Sequence, residues 1–127
     1  MSAWTPISET ELWDILNTSY IRMSPQQERL WHLVRINPEK WSQESYGKVG
    51  GGFWAVALLG QIVVWYNDIE DGFNCSTYIK HGEISEYWCN QDELEFAIQR
   101  LINAIEFGHD MGGQRSPPIA GVFPHNH

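Results

Sequence analysis

Two apolar runs, Phe53–Leu59 and Ile62–Asn67, stand only two residues apart in this chain, and that spacing leaves few folds open. The Gly60-Gln61 pair between them suits a type II′ turn, where glycine supplies a positive φ at the first central position. A connection that short makes the two runs antiparallel neighbours. Both are apolar at successive positions, hence on both pleat faces, as in central strands covered on two sides. The longest apolar run has seven residues (53–59), and a membrane span needs about 20, so no span is expected.

A second hairpin is expected from residues 73–79 and 83–89, which alternate more clearly, as strands nearer an edge do. A turn at Lys80-His81-Gly82-Glu83 that pairs Ile79 with Ile84 also sets Cys75 opposite Trp88. That register gathers Phe73, Cys75, Ile79, Ile84 and Trp88 on one face and puts Cys89 opposite Asn74 on the other. The two sulfurs then point apart and no disulfide is expected. Residues 41–48 offer a fifth strand, weakened by Gly47 and Gly50-Gly51-Gly52.

Helical spacing flanks this region. Ser8-Glu9-Thr10-Glu11 is a capping box, followed by Leu12, Trp13, Ile15, Leu16 and Tyr20. Ser24-Pro25-Gln26-Gln27 restarts the pattern with Ser at the N-cap and Pro at the first helical position. Leu30, Trp31, Leu33 and Val34 form its stripe, and Asn37-Pro38 marks its end. Asn90, with Glu93 three residues on, caps a third helix whose apolar face is Leu94, Ala97, Ile98, Leu101, Ile102 and Ile105; Gly108 terminates it. The predicted fold is α+β: a helical hairpin, a four- or five-stranded antiparallel meander and a C-terminal helix packed on the sheet. The chain of 127 residues reads as one domain, 1–127, with 109–127 an irregular tail.

Chemistry concentrates where the second apolar run ends. Trp65-Tyr66-Asn67-Asp68-Ile69-Glu70-Asp71-Gly72-Phe73-Asn74 sets three carboxylates within four residues, beside aromatics, at one turn. An EF-hand is excluded, because with Gly72 at the sixth position the third ligand position is Ile69 and the twelfth is Tyr78. Three readings remain for Asp68, Glu70 and Asp71: a solvated turn, a looser divalent site, or an acidic surface that binds a protein or ligand. No Lys or Arg lies between Lys48 and Lys80, so local compensation is scarce. Tyr66, Asn67, Asp68, Glu70, Asp71 and Trp88 are the candidate binding residues.

Other motifs carry less. Gly50-Gly51-Gly52 lacks the following Lys-Ser or Lys-Thr and helix of a phosphate cradle. The histidines (32, 81, 109, 125 and 127) have no zinc spacing with either cysteine. His109-Asp110 falls just past a helix end, where histidine suits the dipole. No Gly-x-Ser-x-Gly elbow exists, and Cys75 and Cys89 read as inert thiols. No catalytic residue, metal or cofactor is therefore expected. Sixteen acids against eight Lys and Arg give a net charge of −8, which disfavours nucleic acid and anionic membranes and either steers in a basic partner or serves solubility alone. Seven tryptophans are a rich count; most are assigned to the core, while Trp65 and Trp88 are singled out because indole N–H groups also suit binding surfaces. Two cysteines, and a residue 2–6 segment without the basic and apolar parts of an export signal, fit a reducing cytoplasm.

The run from Ile62 to Asn74, with Tyr87-Trp88-Cys89-Asn90-Gln91-Asp92-Glu93-Leu94, resembles small acidic bacterial proteins of the polymorphic-toxin immunity type. The resemblance covers residues 53–105. The Leu-Pro and Asn-Gly-Gly runs of one common immunity superfamily do not occur, and no site residue is carried over. The resemblance implies a cytoplasmic bacterial protein-binding domain that occludes a basic toxin through an acidic, aromatic surface. The alternatives are a small-ligand-binding or enzymatic domain with an aromatic-lined pocket, and a self-associating structural protein, for which homo-oligomers are expected.

Overall fold

The computed structural model describes residues 5–44 and 51–108. Its elements are α1 (Glu9–Arg22), α2 (Pro25–Val34), β1 (Arg35–Trp41), β2 (Phe53–Leu59), β3 (Ile62–Asn67), β4 (Gly72–Thr77) and α3 (Leu94–Phe107). The strands form one antiparallel meander in the order β1-β2-β3-β4, with the helices on one side, so the fold is α+β.

The local signals behave as their chemistry dictates. Ser8 Oγ accepts from Glu11 N at 3.1 Å while Glu11 Oε1 accepts from Ser8 N at 3.1 Å. Ser24 and Gln27 repeat the exchange at the start of α2, with Pro25 at its first position. The β2–β3 hairpin turns at Gly60-Gln61 with Leu59 opposite Ile62, and Gly60 has φ 57. At the end of α3, Gly108 takes the left-handed conformation and donates its N–H to Ala104 O at 2.9 Å.

Three expectations are corrected. The first strand is not 41–48 but Arg35–Trp41, entered directly from α2, which ends before Asn37-Pro38. Pro38 fits there because β1 is an edge strand whose register slips between Arg35 and Glu39, where a missing N–H breaks no ladder. Residues 45–48 lie outside the described residues, as does the 109–127 tail.

The second correction concerns residues 83–89, which form no strand. Glu83 and Ile84 bridge to Ser42 beyond the end of β1, and from Ser85 onward the segment is a strap that follows the outer edge of β4. Ser85 N donates to Thr77 O, Ser76 Oγ to Glu86 O (2.8 Å), Asn90 N to Asn74 Oδ1 (2.9 Å) and Phe73 N to Asp92 O (2.8 Å). Between Phe73 and Thr77 the strand advances four residues, while between Ser85 and Asp92 the strap advances seven. A ladder of period two cannot absorb that difference, so strand side chains reach out to hold the strap. Cys75 therefore does not face Trp88, and Ile79, expected inward, is 90% exposed. Neither cysteine is in a disulfide, as expected, although not through the expected register.

The third correction is the α3 cap. Asn90 exchanges hydrogen bonds with Asn74 and donates to Asp92 Oδ2, so it is committed to the strap. The N-cap is Glu93, which makes no side-chain capping bond.

Two cores result, one per sheet face, as the two-sided apolar runs require. On the helical face Leu12, Leu16, Trp31, Ile98 and Leu101 pack with Val56, Val64 and Phe73. On the other face Trp41, Phe53, Ala55, Val63 and Trp65 pack with Ile84, with Tyr78 and with Tyr87 of the strap. Gly72 is where strap and sheet touch most closely: a Cβ there would lie 2.3 Å from Asn90 O and from Gln91 Cα.

Candidate functional site

The β3–β4 turn is organised from beneath by Asn67, which is fully buried. Its Nδ2 donates to Tyr87 Oη and to the Trp88 carbonyl, both at 3.0 Å. Its Oδ1 accepts from Ile69 N (3.0 Å) and Glu70 N (3.2 Å). All four hydrogen bonds an asparagine side chain can make are thus used internally. Asp68 is also buried, and its Oδ2 accepts from Ile7 N at 2.9 Å. The carbonyl of Ile7 accepts from Trp54 Nε1 at 3.1 Å, and Lys40 Nζ stands 4.8 Å over the Trp54 ring. Burial lowers the pKa of Lys40, and the Asp68 charge opposes part of that shift.

Of the three carboxylates read as an acidic cluster, only Asp71 is exposed; Glu70 is half-buried and Asp68 is inside. Asp71 adopts φ 57, a left-handed conformation that Asp tolerates better than most residues. Trp88 is half-buried in the strap. Its indole N–H is buried without a hydrogen-bond partner among the described residues.

Two of the six sequence candidates, Tyr66 and Asp71, meet in a groove of about 400 Å³ between α1, the β3–β4 turn and the lead-in to α3. Tyr66 and Phe73 form its floor, their ring centroids 4.9 Å apart and tilted by 58°. Asp14 of α1, Asp71 of the turn, and Asp92 and Glu93 before α3 supply four carboxylates. Tyr66 Oη donates to Asp71 Oδ1 at 3.4 Å. Burial, and then the Asp71 charge, push the Tyr66 phenol up to about 12, so the floor stays neutral at pH 7. Asn67, Asp68, Glu70 and Trp88 do not line this groove.

The four acids are not equivalent. Asp92 Oδ2 is 3.3 Å from Arg100 Nη2. Glu93 is bound by Arg22, whose Nε also donates to Glu95 Oε2 at 2.6 Å. Burial alone would raise the pKa of Glu95. The Arg22 hydrogen bond, with help from its own backbone N–H and from Ser19, holds it below the ordinary carboxylate value. Asp14 and Asp71 pair with no Lys or Arg among the described residues. A cation entering the groove would find two carboxylates without a Lys or Arg partner on the rim, the nearly buried Tyr66 and Phe73 rings below, and Arg22, held by Glu93 and Glu95, on one wall.

Asp14, Arg22, Asp92 and Glu93 were not among the sequence candidates. The first two sit on a strip of α1 (Asp14, Ile15, Thr18, Ser19, Arg22) that carries one large apolar residue only, a sign that nothing bulky packs over it. Glu93 read as the capping-box partner of Asn90, and Asp92 carried no reading of its own. Among the described residues no group of His, Cys, Asp and Glu is placed to hold a metal ion, and no helix is long and apolar enough to cross a membrane. Comparisons with protein-family models, with curated proteins and with solved structures find no match.

Proposed function

We propose that this chain is a cytoplasmic bacterial protein-binding domain, of the toxin-immunity kind, that captures a basic partner by seating one of its Lys or Arg side chains in the acidic groove. The observation that carries the reading is the pair Asp14 and Asp71, uncompensated on the rim above the Tyr66–Phe73 floor. The remaining acidity of the chain, −8 in all, steers such a partner in at long range. Binding would block the partner by covering the basic residue it needs for its own chemistry.

The concavity of the groove favours a second reading, a free organic cation such as a diamine, since its volume lies within the range of small-molecule sites. An NMR titration with two probes separates them: N-acetyl-arginine methylamide, which mimics a side chain on a backbone, and putrescine. Tight saturation by putrescine alone would support the second reading. Shifts at Asp14, Tyr66 and Asp71 with the arginine probe, lost in an Asp14→Asn/Asp71→Asn variant that still folds, support the first. Identical shifts in the variant, or none in the wild type, would end both.

A further inference from the structure

Between α2 and α3 lies a second groove, of about 260 Å³, which shares no lining residue with the first. Leu30 and Leu33 of α2 and Ile102 and Ile105 of α3 make its apolar surface. Leu33 is 83% exposed and Ile105 is 58% exposed, two large apolar side chains left open to solvent on facing helices. The two walls carry opposite charges: Arg29 stands on the α2 side and Glu106 on the α3 side. Arg29 has no carboxylate partner among the described residues, and Glu106 accepts only from Gln26 Nε2, at 2.9 Å.

We infer that this groove is the contact of a two-fold symmetric homodimer. The charge order decides the occupant. A uniformly basic partner would meet repulsion at Arg29, and a uniformly acidic one would meet it at Glu106. The surface that fits must present acid to the α2 wall and base to the α3 wall, in reversed order. A second copy docked about a two-fold axis along the groove supplies that by symmetry, with Arg29 against the partner's Glu106 on both sides of the axis. Leu33 and Ile105 then fill apolar space in the facing groove. In a chain of net charge −8 two copies repel in general, and this patch, with one charge of each sign, lets them meet without adding to that repulsion. The groove is small against the roughly 800 Å² per partner of a standard interface, so the dimer is a weak, concentration-dependent one.

Sedimentation velocity of the full chain over a rising concentration series at low salt tests this. The mass is expected to climb from one chain toward two. Arg29→Glu and Glu106→Arg, both at exposed positions, should each weaken dimerisation about tenfold or more, because each creates two like-charge contacts. Combined in one chain they should restore it, and Leu33→Glu should abolish it. Circular dichroism checks that every variant keeps its fold. A single-chain mass at all concentrations, or a dimer indifferent to the charge reversals, would overturn the inference. So would a double variant as weak as the singles. None of these substitutions touches the acidic groove, so the outcome is independent of the proposed function.

Discussion

On one face of the sheet, Leu12, Leu16, Trp31, Ile98 and Leu101 of three helices cover Val56, Val64 and Phe73. On the other face, Trp41, Phe53 and Trp65 are covered by Tyr78, Ile84 and Tyr87, from a segment with neither helix nor strand. The helices satisfy their own backbone and need bring only apolar surface. The strap cannot do so, and its backbone groups must find partners elsewhere. That requirement is why Asn67, Asn74 and Ser76 are buried polar residues in strands otherwise apolar. Trp65 Nε1 donates to Ser76 Oγ at 2.9 Å, which in turn donates to Glu86 O, so aromatic core and strap backbone join in one chain of bonds. The same arrangement leaves the Trp88 indole N–H unmatched among the described residues.

Trp65→Ala should destabilise by about 3–5 kcal/mol, as truncation of a fully buried aromatic does, and urea unfolding measures it. A loss smaller than that of Leu101→Ala would put the greater weight on the helical face. Gly72→Ala comes next, at about 3 kcal/mol, the upper end of overpacking losses, because the clash is with main chain that has no rotamer to change. Near-ultraviolet circular dichroism should show the aromatic face disturbed while the helical far-ultraviolet signal stays. Asn67→Ala should cost about 1–3 kcal/mol by orphaning the Ile69 and Glu70 N–H groups and the Trp88 carbonyl. An unchanged unfolding midpoint would mean that water replaces the amide and that the turn is not held from beneath.

The helical side has its own polar weak point, and acid finds it. Glu95 is almost covered and its pKa is depressed in the fold, so the contribution of its pairing with Arg22 is complete above the unfolded value of about 4.3 and is lost as pH falls through the lower folded value. Thermal melts from pH 7 to pH 3 should decline, and Glu95→Gln should flatten that decline; equal slopes would remove Glu95 from the account. The smallest effect is expected at Trp88→Phe, which removes an unmatched donor and should be neutral or stabilising by up to about 1 kcal/mol. A clear destabilisation would show that the indole N–H has a partner in solution.

The difference between the faces also divides what the sequence discloses. Period and capping chemistry are local, so α1, α2, the β2–β3 hairpin and the stop at Gly108 could be read directly. Two-sided apolarity correctly demanded a cover on each face. It could not say that the second cover would be irregular, because residues 83–89 alternate as a strand does while their partners lie along β4 at unequal spacing. The site divided similarly. Asp71 and Tyr66 were legible from the acidic turn, but Asp68 and Asn67, equally polar, went inside to hold backbone groups of Ile7, Ile69, Glu70 and Trp88. Asp14 and Asp92 are 57 and 21 residues from Asp71 and meet it only through the fold.

The strap also bears on how the chain is made. Residues 85–92 follow β4 in the chain, so any sheet that forms before they emerge has the outer edge of β4 bare and its aromatic face wet. β1 is defended throughout by Pro38 and by the charges of Arg35, Glu39 and Lys40, but β4 carries no such residue between Phe73 and Thr77. A nascent chain stalled in that interval would present a sticky edge to its neighbours on the polysome. The strap that covers the aromatic face is therefore also what ends the exposure of the β4 edge to co-translational aggregation.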